Sequence, residues 1–327
     1  MKFKAIVTGG AGFIGSHLVE LLLKKNYSVI VIDNFATGRR NNLNKVLNKI
    51  KIVNADISNY EKIQKYFKNI DYVFHLAGLA DIVPSIENPE KYFDTNVKGT
   101  LNILKASKKN NIKKVVYAAS ASCYGMVKKF PTNEKTKINT EYPYALTKNL
   151  GERLLEHWSK VYKLSTISLR LFNVYGVRSR TTGAYGAMFG VFLAQLLNNK
   201  PLTIVGNGKQ TRDFTYVTDV ARAFFYASRS KIYHDIFNVG TSKPTSVNYI
   251  VKKLGGQKIH IPKRPGEPER SQADIRKIKK FLKWKPQVNI DKGIKIMLEN
   301  INDWKSAPIW TPSKIEKKTK IWFKFLR

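Results

Sequence analysis

The chain has one cysteine, Cys123, in 327 residues, which excludes an intramolecular disulfide and fits a reducing compartment. Acidic residues are also scarce: 23 Asp and Glu stand against 58 Lys and Arg, a formal net charge of +35. Such a field attracts polyanions. The lysines, however, are scattered through every segment beside Asn and Ile, so no basic module forms and no specific nucleic-acid partner is expected. No apolar run approaches the length of a membrane span. The first apolar stretch breaks at Gly9-Gly10, as a buried strand entering a turn does and a signal peptide does not. A soluble, cytoplasmic protein is expected. Glycine and proline are not in excess, at 20 and 12, and 43% of residues are hydrophobic, which excludes wholesale disorder. No metal site is expected.

Short continuous apolar runs alternate with helical spacing. Ala5-Ile6-Val7, Val29-Ile30-Val31-Ile32, Lys51-Ile52-Val53, Tyr72-Val73-Phe74, Val115 to Ala118 and Thr166 to Arg170 read as strands buried on both faces. Helices are predicted over Ile14–Leu23, Pro89–Lys109 and Pro143–Val161, the last two opening on a proline whose missing N–H costs nothing there. The pattern predicts a doubly wound α/β fold, a parallel Rossmann sheet with a smaller C-terminal substrate-binding lobe. The organisation expected is a dinucleotide domain over 1–173, a substrate lobe over 174–313 with a strand near 235–239 returning to the main sheet, and a basic aromatic tail over 314–327.

Gly9, Gly12 and Gly15 sit between the first strand and the first helix. That position demands a tight turn, close approach of backbone to a pyrophosphate, and a free helix N-terminus. Asp33 ends the next strand, where a carboxylate accepts both ribose hydroxyls and repels a 2′-phosphate, favouring NAD over NADP; Arg39 and Arg40 stand nearby. Asp56 either faces the adenine or caps a helix. Ala77-Gly78 removes bulk where a cofactor would pass.

Tyr144 and Lys148 lie one helical turn apart on one face. An ammonium there favours the phenolate, as proton abstraction from a sugar hydroxyl requires. Ser120 closes the fifth strand at its carboxyl end and can bond the same hydroxyl.

Together with Leu169 to Gly176 and Arg212 to Val220, these segments resemble the extended short-chain dehydrogenase/reductases of the NAD-dependent sugar-nucleotide epimerase/dehydratase family, in particular the 4-epimerases of UDP-glucose and UDP-N-acetylglucosamine. The resemblance runs over about residues 1–305. It implies Ser120, Tyr144 and Lys148 as catalytic residues. Cofactor contacts are expected from Gly9, Gly12, Phe13, Ile14, Gly15, Asp33, Asn34, Gly38, Asp56, Ile57, Leu76, Ala77, Gly78, Asn96, Tyr144 and Lys148. It further implies a tightly bound, recycled NAD and substrate contacts from Ser120, Asn173, Arg212, Arg264, Glu267 and Ser271. Family members that eliminate water or decarboxylate a uronic acid carry a glutamate three residues before the glycine of the Tyr124-Gly125 pair, and dehydratases an aspartate just before it. Here those positions are Ser122 and Ala121, so elimination lacks its general acid. The implied reaction is 4-epimerisation of a UDP-sugar through a transient 4-keto sugar. The small Ser271, where hexose-restricted members carry tyrosine, implies room for an N-acetyl group. The alternatives are a dehydratase, a decarboxylase, a 4-keto reductase, or a non-catalytic cofactor- or polyanion-binding protein. A homodimer through the helices near Pro89–Lys109 and Pro143–Val161 is implied as well. The tail, where Lys317, Lys318, Lys320 and Lys324 flank Trp322, Phe323 and Phe325, either makes weak peripheral contact with an anionic membrane or packs its apolar residues on its own domain or on the dimer partner.

Overall fold

Apolar runs with no polar alternation have to be covered on both faces, and seven of them assemble into one sheet. The computed structural model describes residues 2–179, 188–263 and 266–326. The strands are β1 (Lys4–Thr8), β2 (Ser28–Asp33), β3 (Ile50–Asn54), β4 (Tyr72–His75), β5 (Lys114–Ser120), β6 (Thr166–Leu171) and β7 (His234–Val239). They are parallel throughout, in the order β7-β6-β5-β4-β1-β2-β3. This is the doubly wound class read from the sequence. The returning run near 235–239 is β7, paired with β6 from Thr166↔His234 to Leu171↔Val239.

The helices that position the site are α1 (Phe13–Lys24), α2 (Ile82–Glu87), α3 (Gly99–Lys109), α4 (Pro143–Tyr162), α5 (Met188–Leu197), α6 (Val217–Arg229) and α7 (Pro312–Phe325). Alternate strand residues feed two cores. On one face Val7, Val29 and Val31 pack with Leu18 and Leu22 of α1 and Val220 and Phe224 of α6. On the other, Ile6, Ile32 and Val73 pack with Ile103 and Leu104 of α3 and Leu155 of α4. A third core, with Phe189, Phe192, Met297 and Trp304, supports the segments beyond β6.

Two sequence readings change. The single helix expected over Pro89–Lys109 is broken: Pro89–Phe93 and α3 are joined by a π-helical turn at Asp94–Lys98. Such turns insert an extra residue and re-aim side chains; here Asn96 points inward and is 1% exposed. The tail forms α7, with Pro312 in its first turn and Thr311 Oγ1 accepting from Lys314 N. Ile315, Thr319 and Trp322, at i, i+4 and i+7, are buried against the protein. Trp322 thus packs on the protein, as one of the two readings of the tail expects, while Phe325 stays 60% exposed. Among the described residues no helix is long and apolar enough to cross a membrane.

A buried ion pair locks α4 to the sheet. Arg170 Nε and Nη2 donate to Glu152 Oε2 and Oε1 at 2.9 and 2.5 Å, both side chains 4% exposed. Arg170 Nη1 also donates to the Tyr124 hydroxyl at 2.8 Å, which donates to Asn238 Oδ1 at 2.7 Å. Removing one partner strands the other charge in the core. Glu152→Ala is expected to lower the unfolding free energy by about 3–5 kcal/mol; a denaturant titration showing a loss below about 1 kcal/mol would remove this pair as the lock.

Candidate active site

The strand order reverses between β1 and β4, and in such sheets ligands bind outside the carboxyl ends at that point. Gly9 turns there with φ +70°, and a Cβ on it would lie 2.6 Å from the Ala77 nitrogen, so only glycine lets the turn pass the chain leaving β4. A Cβ on Gly15 would lie 2.1 Å from the Gly9 carbonyl oxygen, which seats α1 directly on the turn. Gly12 precedes α1 with no side-chain cap, and no acid stands in the first turn. The N–H groups of that turn and the positive end of the dipole are left for an anion. A side chain on Gly12 would meet only the Gly9 oxygen, at 3.0 Å, and would otherwise fill the cradle. Phe13 and Ile14 are half-buried at its rim.

Asp33 ends β2, 7% exposed. It accepts from Ala11 N at 2.9 Å and Phe35 N at 2.8 Å. Burial pushes its carboxyl above the usual range and those two N–H groups pull it back. Gly38 lies against it, where a Cβ would stand 2.8 Å from Oδ1. Asn34 donates to Asp56 Oδ2 at 2.8 Å, and Ser58 N to Asp56 Oδ1 at 2.8 Å. The helix-cap alternative for Asp56 fails, because Asn59 caps the helix that follows, Tyr60–Ile63. Ile57 turns its side chain into the core, and its carbonyl accepts from Asn102 Nδ2 at 2.9 Å; neither group faces the pocket. Arg39 donates to the Arg178 carbonyl at 3.3 Å. An open anion cradle beside a buried carboxylate held by backbone fits a dinucleotide.

From β4 a relay of hydrogen bonds runs toward α4. Thr8 Oγ1 accepts from Ala77 N at 3.2 Å and lies 2.8 Å from His75 Nδ1; His75 Nε2 lies 2.9 Å from Thr100 Oγ1, which donates to the Asn96 carbonyl at 2.6 Å. Thr100 thus spends its proton on Asn96 and accepts from His75. Burial, aided by Lys148, lowers the imidazole to about 3, so His75 is a neutral structural link. Asn96, expected to touch the cofactor, instead spends its amide inside the protein. Its Oδ1 accepts from Leu79 N at 2.8 Å, and its Nδ2 donates to Leu79 O and Thr147 Oγ1, both at 3.0 Å. It fixes Leu79, which follows the Leu76-Ala77-Gly78 segment, against α4.

Tyr144 and Lys148 occupy the first turns of α4 and line a cleft of about 630 Å³ with Ser120. Lys148 is 6% exposed, with Nζ 4.3 Å from the Tyr117 ring centroid. Burial lowers its ammonium to about 7, with Glu152 opposing. The Tyr144 phenol stands above its ordinary value, because burial outweighs the hydrogen bond from Ser120. The protein alone therefore does not lower the tyrosine as the spacing suggested. Ser120 Oγ lies 2.8 Å from Ser122 Oγ, and Tyr142 stacks parallel to Tyr144 at 6.4 Å with a hydrogen bond to Ser122. Ser122 and Tyr142 thus extend the hydroxyl chain, a role that no local signal in the sequence announced.

Across the cleft stand Asn173, Arg212, Glu267 and Ser271. Asn173 opens a short strand, Asn173–Tyr175, paired with Phe214–Tyr216. Ser271 N donates to the Thr211 carbonyl at 3.0 Å, tying Ser271 to the neighbour of Arg212. Asp213, fully buried, fixes both: its carboxylate accepts from Thr241 N at 2.6 Å, Ser242 N at 2.9 Å and Ala273 N at 2.9 Å. Arg264 lies outside the described residues. Ile315 and Trp322 of α7 complete the lining, and sequence reasoning missed both. Among the described residues no three His, Cys, Asp or Glu side chains are grouped to hold a metal ion.

The model of the NAD dependent epimerase/dehydratase family matches residues 5–240. A Methanocaldococcus jannaschii protein carrying the provisional name UDP-glucose 4-epimerase is 41% identical over 298 residues, 89% of this chain and 95% of that protein. The Thermotoga maritima UDP-glucose 4-epimerase, solved with UDP-glucose, superposes with a TM-score of 0.85 at 34% identity, covering 91% of this chain and 98% of that one. The UDP-N-acetylglucosamine 4-epimerase of Methanobrevibacter ruminantium M1, solved with UDP-N-acetylmuramic acid, gives 0.86 at 32% identity, covering 92% and 100%. With a Rossmann sheet, the glycine cradle and a tyrosine–lysine pair at the cleft, the chain belongs to the NAD-dependent epimerase/dehydratase family and is an NAD-dependent enzyme of that nucleotide-sugar class.

Proposed function

We propose that the protein is a UDP-sugar 4-epimerase that accepts both plain and N-acetylated hexoses. The observation that carries this reading is the set of groups around Ser120. They are hydroxyls, Ser122, Tyr142 and Tyr144, where an eliminating or decarboxylating enzyme needs a carboxylic acid beside the serine. A 4-epimerase needs only a reversible proton acceptor. The likeness to 4-epimerases of UDP-glucose and UDP-N-acetylglucosamine supports the same choice.

In this reading the α1 cradle, Gly9, Gly12, Gly15 and the backbone at Phe13 and Ile14, holds the pyrophosphate of a retained NAD. Asp33, with Asn34 and Gly38, takes the ribose, Asp56 faces the adenine, and Leu76, Ala77 and Gly78 form the passage to the nicotinamide. The chemistry that NAD supplies when bound is reversible uptake of a hydride from the sugar C4. Tyr144 takes the C4 hydroxyl proton and Ser120 orients that hydroxyl. Lys148 holds positive charge beneath the site. Arg212 and Asn173 bind the diphosphate, and Glu267 and Arg264 the nucleoside ribose. A guanidinium fork suits paired phosphate oxygens. The 4-keto sugar turns over between the Tyr144 wall and the Ser271 wall before reduction from the other face. Phe93, Leu101 of α3, and Leu146, Val161 and Tyr162 of α4 are exposed apolar residues, which supports a homodimer joined along these helices.

Incubation with a panel of UDP-, GDP- and dTDP-sugars, read by NMR, tests the reaction. C4 inversion of UDP-glucose and UDP-N-acetylglucosamine is expected, with Tyr144→Phe at least about a hundredfold slower while still binding UDP. Loss of water or carbon dioxide, or stoichiometric consumption of reduced nicotinamide, would replace this reading.

Ser271→Tyr is expected to depress kcat/KM for the N-acetylated sugar by about tenfold or more relative to the plain hexose. Equal losses on both sugars would show that Ser271 does not gate the pocket.

Lys148 is protonated less readily in the folded protein than in the unfolded chain, so it burdens the fold below about pH 7. The unfolded chain binds the extra proton between that pH and the ordinary lysine value, so stability rises with pH across the interval. In protein stripped of nucleotide, Lys148→Met is expected to raise stability by roughly 3–5 kcal/mol at pH 6, with the gain vanishing above about pH 10, and to abolish turnover. Denaturant titrations of both proteins across this range check the sign; a gain that grows with pH would reverse it.

A further inference from the structure

Helix α7 crosses the mouth of the site. Its buried stripe is Ile315, Thr319 and Trp322, and Ile315 and Trp322 line the same cleft as Ser120, Tyr144 and Arg212. On one side α7 packs against α2, the helix that follows the cleft residue Asp81. On the other it reaches the loop of Glu267: the Leu326 carbonyl oxygen lies 3.6 Å from where a Cβ of Gly266 would be. The helix therefore spans the cleft from the tyrosine end to the loop assigned to the nucleoside.

An anchor fixes where α7 starts. Gln195 of α5, 1% exposed, donates to the Trp310 carbonyl at 2.7 Å and to Thr203 Oγ1 at 2.6 Å. Beyond that anchor the helix is held by its buried stripe and by the half-buried Ile321, Phe323 and Leu326. Three buried residues face inward, while Lys314, Lys317, Lys318, Lys320 and Lys324 face solvent. A helix lying on the surface, with mostly like charges along its outer face, opens more readily than the cores beneath it.

We propose that α7 is a strap over the substrate cleft and that Trp322 is a substrate-contacting residue, its indole packing on the bound nucleotide sugar. This rests on the reading of the cleft as a UDP-sugar site. Trp322 is 2% exposed, so most of the indole seats the helix and the edge that lines the cleft meets the sugar or base ring. A covered cleft also excludes water, which strengthens the hydrogen bonds at Ser120 and Tyr144. Substrate leaves when α7 swings off the cleft about its Trp310 anchor.

The test uses the full-length, NAD-loaded protein, with UDP and UDP-glucose as probes. Trypsin cleavage at the α7 lysines is followed with and without each probe, and ligand is expected to slow it by about fivefold or more. Trp322→Ala is expected to raise the Kd for UDP-glucose and its KM by about tenfold while kcat changes by less than about threefold; Trp322→Phe is expected to recover most of the loss. A chain ending at Trp310 is expected to bind at least as weakly as Trp322→Ala. Cleavage of α7 indifferent to both probes overturns the strap, and UDP-glucose binding by Trp322→Ala within about twofold of the parent overturns the contact. Failure of the parent to turn over any UDP-sugar would instead overturn the epimerase reading, while protection of α7 by UDP still decides the strap.

Discussion

The constraint on which the site depends is the burial of one ammonium. Lys148 stands over the Tyr117 ring at 4.3 Å, and burial lowers it to about 7. Desolvating a cation is costly unless the surroundings offset it, and much of the neighbouring structure serves that end. Gly151, one turn below, lets the Tyr117 hydroxyl approach α4, since a Cβ there would lie 2.4 Å from it. A glycine inside a helix costs about 1 kcal/mol relative to alanine, and here the cost admits the aromatic floor under the lysine. Gly78 clears the other side: a Cβ would stand 3.6 Å from Lys148 Nζ.

The same burial governs Tyr144. Burial raises its phenol above the ordinary value, against the hydrogen bond from Ser120. The relay from Thr8 through His75 and Thr100 to Asn96 keeps the relevant groups in register across β1, β4, α3 and α4. Glu152 serves twice, holding Arg170 in the core and opposing the depression of Lys148. Fold stability and the protonation of Lys148 are thus coupled through one helix.

The substrate side is built by a different device. No large sheet supports it; two-stranded ladders and the buried Asp213 carboxylate hold Arg212, Thr241 and Ala273 together. Such a lobe can vary its loops without disturbing the Rossmann sheet, which suits a family whose members share cofactor chemistry and differ in sugar. Helix α7 then adds Ile315 and Trp322 to the lining of the same cleft.

Local signals determined a great deal. Seven strands, the glycine turn with Asp33, and the Tyr144–Lys148 spacing are properties of neighbours in sequence, because strand burial, turn geometry and helical periodicity are set within a few residues. Other features rest on contacts between distant segments. A π-helical turn aimed Asn96 inward, onto Leu79 and Thr147. Ile57 found space beside Gly99 and turned inward, and Ser122 acquired Tyr142 as a partner. Burial reversed the expected direction for Tyr144, and the tail brought Ile315 and Trp322 to the cleft. In each case the outcome depended on which cavity or partner the packed cores left within reach, and that is a property of the folded arrangement rather than of any stretch of chain.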